Sequence, residues 1–267
     1  MTMAALDISL IISTYNQPAA LAQVLAGVAL QTHSPSEVLV ADDGSGEADA
    51  RSIKNWRHRL PPLEHVWHED HGFRKAVILN EAITRASGDY VVLLDGDCVP
   101  HPRFVEDHAV LAEPGCWVQG RRSFINMTHV PDYATGGVGF ISWWLRGRSS
   151  GLFKGIRWPV PWVRRDRSQR GIIGCNMGIW RSDLVSVNGF DEAFEGWGLE
   201  DSDLGNRLYH LGRDRKLVYG RAVIHHLNHR QISRDQLSKN QGRLRNVKEH
   251  KTVACALGLR GHVKGDE

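Results

Sequence analysis

Three apolar runs early in the chain each stop abruptly at a polar loop, and that recurrence constrains the fold more than any other feature. Residues 7–14 (DISLIIST) run into Tyr15-Asn16-Gln17-Pro18, residues 37–41 (EVLVA) into Asp42-Asp43-Gly44-Ser45, and residues 90–94 (YVVLL) into Asp95-Gly96-Asp97. Each run is short and apolar, as a buried strand requires. Between them, residues 19–30 carry apolar side chains at helical spacing, residues 75–86 read as a helix, and residues 63–68 offer a further strand. Strand–helix alternation predicts an α/β chain with a mostly parallel sheet flanked by helices. Ligands of such sheets sit outside the carboxyl ends of the strands, so the three polar loops are expected to open on one rim.

The second half changes character. Residues 136–170 are rich in Gly, Trp, Arg and Pro and show no clean period, which suggests a mobile loop or an interfacial segment. Order returns with a strand-like GIIGCNMGIW (171–180), a turn at Asn188-Gly189, and GWGLEDSDLGNRL (196–208), a loop feeding a helix. Residues 217–226 read as one closing strand, and residues 231–267 as a polar helix with a frayed end.

At 267 residues, 42% hydrophobic and 24% charged, the chain is ordinary for a globular protein. A formal charge of +3 is too small to argue for nucleic acid. The start lacks the basic stretch and apolar core of an export signal, and no apolar run approaches the ~20 residues of a membrane span. Four scattered cysteines suit a reducing compartment. A cytoplasmic location is the resulting expectation.

Asp95 and Asp97, one residue apart at a buried strand's end, suit a divalent cation bridging a diphosphate. The alternative for any isolated Asp-x-Asp is a solvated turn. Asp43 offers a carboxylate to a nucleobase or ribose, although Asp-Gly alone also makes a simple turn. Arg74 and Lys75 precede a helix, where two cations oppose the macrodipole unless an anion such as phosphate compensates them. The most specific segment is Gly196-Trp197-Gly198-Leu199-Glu200-Asp201-Ser202-Asp203. Its glycines let the backbone bend around an indole on which a sugar can stack, and one of its carboxylates can serve as general base. Helix capping by Asp201 or Ser202 explains one carboxylate and leaves Gly-Trp-Gly unexplained. Downstream, His225, His226 and His229 include a candidate to complete a metal shell beside Asp97.

Together ISLIISTYNQ, VADDGS, GFRKAVILNEAI, ASGDYVVLLDGDCVP, GCNMGIW, NGFDEAFEGWGLEDSDLGNRL and the histidine cluster run through residues 7–229. In this order they resemble family 2 glycosyltransferases of the type A, Rossmann-like fold. The Gly-Trp-Gly-x-Glu-Asp element is similar to that of β-1,4-galactosyltransferases and bacterial chondroitin polymerases. DGDCVPHPRFVEDH, LAEPG and GLFKGIRWP bring the likeness nearest to bacterial lipopolysaccharide-core β-1,4-glucosyltransferase-like enzymes.

The resemblance implies an inverting hexosyltransferase that uses a UDP-sugar donor with Mn2+ or Mg2+. It implies a glycan or lipid-linked acceptor, in lipopolysaccharide or polysaccharide biosynthesis. Asp43 would contact uracil or ribose, with Thr14, Tyr15 and Asn16 at the base pocket and Arg74 approaching the donor. Asp95 would meet ribose or metal, and Asp97 would bind metal with His226 or His229. Asp201 would be the catalytic base, Glu200 would hold hydroxyls, and Trp197 would face the sugar. The expected organisation is one domain over residues 1–230, with a donor half (1–100), an acceptor half (101–230) and a helical tail (231–267). Arg146, Arg148, Lys154, Arg157, Arg164 and Arg165, among Trp143, Trp144, Trp158 and Trp162, suggest peripheral association with the inner membrane. Two other classes are a nucleotidyltransferase, which would more usually carry a glycine-rich phosphate loop absent from residues 14–18, and a non-catalytic glycan-binding module, which would be expected to have lost carboxylates present here.

Overall fold

The computed structural model describes residues 6–126, 140–228 and 235–262. Its first half is the alternation expected from sequence. β1 (Ile8–Thr14), β2 (Glu37–Asp42), β3 (Leu63–Trp67) and β4 (Tyr90–Asp95) are joined by α1 (Pro18–Ala29), α2 (Glu47–Trp56) and α3 (Lys75–Arg85). These four strands pair in parallel in the order β3-β2-β1-β4. α1 begins with Pro18, whose missing N–H costs nothing in a first turn, and buries Leu21, Val24, Leu25 and Val28 on one stripe.

β5 (Cys98–Pro100) and α4 (Phe104–Leu111) lead to β6 (Cys116–Gln119) and β7 (Arg122–Asn126). Residues 140–166 hold α5 (Phe140–Leu145), β8 (Ser149–Ser150), α6 (Leu152–Gly155) and β9 (Trp162–Asp166). The described part of the segment read as irregular thus carries short elements, and β9 is an edge strand of the main sheet. β10 (Asn176–Trp180), α7 (Arg181–Ser186), α8 (Glu200–His210), β11 (Asp214–Tyr219), β12 (Ile224–Asn228) and α9 (Leu237–Glu249) complete the chain.

The main sheet has eight strands, β3-β2-β1-β4-β10-β6-β11-β9, with β10 antiparallel to both neighbours. A second sheet, β5-β12-β7-β8, lies beside its rim. The single closing strand expected over 217–226 is instead two strands in different sheets. Gly220 and Ala222 take positive φ of 74° and 48° and turn the chain from one sheet into the other.

Alternation along the strands builds the core on both faces. Ile8, Leu10, Ile12, Val38, Val40, Val92 and Leu94 pack with α1, Ile53 and Phe104. Ile11, Leu39, Ala41, Val91 and Leu93 pack with α3, Leu184 and Leu208 on the other side. Each fully buried aliphatic side chain contributes about 1.5–3 kcal/mol. Residues 250–262 are not frayed: Leu259 enters the second core, and the Asn188 amide donates to Cys255 O at 2.9 Å.

Candidate active site

The three strand-end loops do converge. Asp43 N–H donates to Thr14 O at 3.0 Å and Gly96 N–H to Ser13 O at 2.7 Å, locking the loops after β1, β2 and β4 together. Gly96 is required there, because a Cβ would lie 2.8 Å from Ser13 O. Over this rim opens a cavity of about 790 Å3, lined by Thr14, Tyr15, Asp43, Asp95 and Asp97 on one side and by Trp197, Glu200, Asp201 and His226 on the other.

Asp42 and Asp43 divide the two readings of their loop. Asp42 accepts from Ser45 N–H at 2.8 Å and contacts His65, so it closes the turn. Asp43 lines the cavity, bonded to His68 Nε2 at 2.8 Å and accepting from Arg74 N–H at 2.9 Å. Burial pushes its carboxyl above the ordinary value, against those two partners.

Two expected side chains fall elsewhere. Asn16 accepts from Gly46 N–H at 3.2 Å and its N–H donates to Ser45 Oγ, so it braces two loops and is not on the cavity wall. Arg74 is the N-cap of α3, and its guanidinium donates to Glu69 O at 2.9 Å. The cation on the wall is Lys75, the first helical residue, whose Nζ sits 2.6 Å from Asp95 Oδ1. Burial works against its ammonium, but Asp95, Glu200 and Asp201 overcome that and hold its pKa above the usual lysine range. The anion that cations at this helix N-terminus call for is thus supplied by the protein itself. The GFRK stretch was the available signal, and only the helix phase separates Arg74 from Lys75.

Opposite the rim, Gly196, Gly198 and Leu199 take φ of 69°, 106° and 77°, turning the chain sharply into α8 and leaving Trp197 38% exposed at the cavity. Leu199 is the N-cap and makes no side-chain cap, so capping does not account for the carboxylates that follow. Asp201 accepts from Gly174 N–H at 2.7 Å and Ser202 N–H at 2.5 Å, and burial raises its pKa. Glu200 is pushed up to about 7, first by burial and then by the Asp201 charge. Asp203 points away, in a fully buried ion pair with Arg207 at 2.7 Å.

Strand alternation sorts the histidines. His226 and Asn228 face the cavity from β12, whereas His225 is buried against Ser123 Oγ at 2.7 Å. Burial lowers the His225 pKa to about 3, so it stays neutral. His229 lies outside the described residues. His226 Nε2 is 3.6 Å from Asp97 Oδ2, and Asp97, Cys98 and His226 each place a donor atom within 4.8 Å of the others. That donor set suits a divalent transition-metal ion. Two buried cavity atoms, Thr14 Oγ1 and Glu200 Oε2, have no partner among the described residues, as expected of groups awaiting a polar ligand.

Residues 9–181 match glycosyl transferase family 2. The chain belongs to that family. Residues 160–230 also match the N-terminal domain of galactosyltransferase, which covers the Gly-Trp-Gly loop and β12. Among curated relatives, hyaluronan synthase of Pasteurella multocida is 28% identical over 236 residues, 82% of this chain and 24% of that protein. Validoxylamine A glucosyltransferase of Streptomyces hygroscopicus subsp. limoneus is 30% identical over 226 residues, 77% of this chain and 48% of that protein. Chondroitin synthase of Escherichia coli is 26% identical over 245 residues, 82% of this chain and 34% of that protein. The chain thus spans half or less of these relatives' length. In fold it is similar to S. aureus TarS 1–349 in complex with UDP (TM-score 0.64, 16% identity, 96% of this chain, 68% of that one). It is also similar to the mannosyltransferase PcManGT from Pyrobaculum calidifontis in complex with GDP-Man and Mn2+ (TM-score 0.55, 19% identity, 85% of this chain, 57% of that one). The fold is therefore that of the type A glycosyltransferases.

Proposed function

We propose that this family member moves a hexose from a UDP-sugar, with inversion, to a hydroxyl of an envelope glycan or lipid-linked acceptor in lipopolysaccharide or polysaccharide biosynthesis. One observation carries the reading: Asp95, Asp97 and His226 share a single cavity with Glu200 and Asp201. Residues 1–100 supply the nucleotide side of that cavity, and residues 101–230 the acceptor side together with His226 at the metal, while Leu237 and Gln241 of α9 also line it. The UDP and the GDP-Man with Mn2+ held by structural neighbours, and the glucosyltransferase among the relatives, support a nucleotide-sugar donor.

Asp97 and His226 would hold Mn2+ or Mg2+, with Asp95 at the ribose or metal; the ion would neutralise the departing diphosphate. Asp43 and Thr14 accept and donate hydrogen bonds to the nucleoside, and Tyr15 covers it at the mouth. Trp197 offers its face to the sugar. Asp201, oriented by Gly174 and Ser202 N–H groups, keeps free lone pairs and removes the acceptor proton. Glu200, part-protonated near neutral pH, both donates to and accepts from sugar hydroxyls. Attack from the side opposite UDP inverts the anomeric centre. The test is UDP release from a panel of UDP-sugars with Mn2+ and with EDTA, in the wild type and in Asp201→Asn. Metal-dependent release with one donor is expected. Asp201→Asn should bind UDP normally and lose turnover by at least 100-fold; retained turnover refutes the base assignment.

The acceptor's source bears on the Trp- and Arg-rich segment, which the fold divides in two. Arg157 pairs with Asp107 at 2.8 Å and Trp158 packs on Gly220, so both serve the interior. Arg164 and Arg165 pair with Asp166 and Glu113. Ile141, Leu145, Phe153 and Val160 stay 54–79% exposed beside Arg146, Arg148 and Lys154, and residues 140–165 contain no Asp or Glu. Among the described residues no helix is long and apolar enough to cross a membrane. This exposed part supports peripheral contact with an anionic lipid surface at the cytoplasmic face. Failure to sediment with anionic vesicles at low salt would remove it from the proposal.

A further inference from the structure

The Asp97 carboxylate and the His226 imidazole are joined by a thiol, that of Cys98, which the transfer reaction does not use. β5 and β12 are antiparallel, with Cys98 directly opposite His226. Directly opposed residues on such a pair project to the same face. Cys98 therefore projects to the side on which His226 meets Asp97. Its Sγ lies 3.3 Å from Asp97 Oδ1, and His226 Nε2 lies 3.6 Å from Oδ2, the other oxygen of the same carboxylate. Bonds of about 2.0–2.3 Å in a tetrahedral site put neighbouring donor atoms about 3.3–3.8 Å apart. Each of the two spacings falls in that range, and one donor atom from each of Asp97, Cys98 and His226 lies within 4.8 Å of the others. The three residues also come from one short strand and the loop that precedes it, together with the strand paired to it, so the geometry is held by the ladder and by Leu227 N–H donating to Asp97 O at 2.8 Å.

We propose that Cys98 is a third protein ligand for a thiophilic divalent ion, so that this site takes Zn2+ or Cd2+ in preference to Mn2+ or Mg2+. This rests on the reading of Asp97 and His226 as the metal end of the cavity. Oxygen donors suit Mg2+ and Mn2+, whereas a thiolate selects softer ions. As the sulfur–metal bond forms, the Sγ–H proton is released to solvent. A Zn2+ held by three protein ligands leaves fewer positions for a diphosphate than an ion held by two, so Zn2+ should compete with the activating ion.

The experiment uses the full chain with Co2+ and Cd2+ as probes, with and without UDP. A thiolate-to-metal charge-transfer band is expected in the wild type and in Cys175→Ser, and its absence in both Cys98→Ser and Cys98→Ala. Displacement of bound Mn2+ by Zn2+, followed by the signal of free Mn2+, should require at least 10-fold more Zn2+ in the Cys98 variants. Metal binding that depends on Asp97 but gives no sulfur band overturns the role of Cys98 alone. A band that persists in both Cys98 variants overturns it as well. No binding of any ion, with or without UDP, overturns the metal reading together with this one.

Discussion

Replacing Glu200 with Gln should stabilise the protein, and the gain should depend on pH. The Glu200 carboxyl is raised from 4.5 to about 7 by burial and by the neighbouring Asp201 charge, with Lys75 opposing. A carboxyl that holds its proton more tightly when folded costs nothing below pH 4.5, where both states are protonated. As pH rises towards 7 the unfolded chain ionises first, and stability is lost until the folded carboxyl ionises too. At about 1.4 kcal/mol per pH unit, the span from 4.5 to about 7 amounts to at most about 3–4 kcal/mol. Gln keeps the shape and cannot ionise, so Glu200→Gln should match the wild type near pH 4.5 and gain about 2–3 kcal/mol above pH 7. For a chain of this size that is a rise in Tm of roughly 5–10 °C. Urea or thermal unfolding of both proteins between pH 4.5 and 8 measures it directly. A difference that does not vary with pH, or a variant less stable at pH 8, would refute the claim that Glu200 is held at an energetic cost. Because Glu200 lines the cavity, the same variant should lose activity while gaining stability, as a residue retained for function does.

Asp203 looks equivalent to its neighbours in sequence but is bonded to Arg207 with both side chains fully buried. Asp203→Asn should therefore cost about 3–5 kcal/mol of stability, measured by denaturant unfolding, with UDP affinity unchanged in the folded fraction. Asn240 donates to Glu195 O and Gly198 O at 3.1 and 3.0 Å, pinning the Gly-Trp-Gly loop from α9. Asn240→Ala should lower stability by about 1–3 kcal/mol and perturb Trp197 fluorescence on donor binding; an unchanged signal would show that the loop holds itself.

What could be read ahead of the structure follows from which signals are local. β1, β2 and β4 are continuous apolar runs, and the loops they feed carry Asp43, Asp95 and Asp97 to one rim because parallel strands must all end on the same side. The strand character of 176–180 was legible, but its antiparallel placement between β4 and β6 is set by the path of the chain. Ala222 at φ 48° hides the break between β11 and β12, since alanine gives no warning of a left-handed turn; its N–H donates to Asp107 and its carbonyl accepts from Asn176. Those two buried partners hold a conformation the residue itself disfavours.

The histidines and the GFRK cations carry the same lesson at finer scale. Period two along β12 says that His226 and Asn228 share a face and His225 takes the other, but not which face meets the cavity. The answer comes from the partner strands: Phe124 and Cys98 lie opposite His226, and Phe124 lines the cavity with it. Likewise Arg74 and Lys75 are interchangeable until the N-cap is known, and one residue of helix phase sends one cation to a backbone carbonyl and the other to Asp95. Residue types are thus legible wherever chemistry demands a carboxylate, an imidazole or an ammonium. The choice between adjacent candidates is made by register and cap geometry, which depend on partners elsewhere in the chain, from Asp43 for Arg74 to Cys98 and Phe124 for His226.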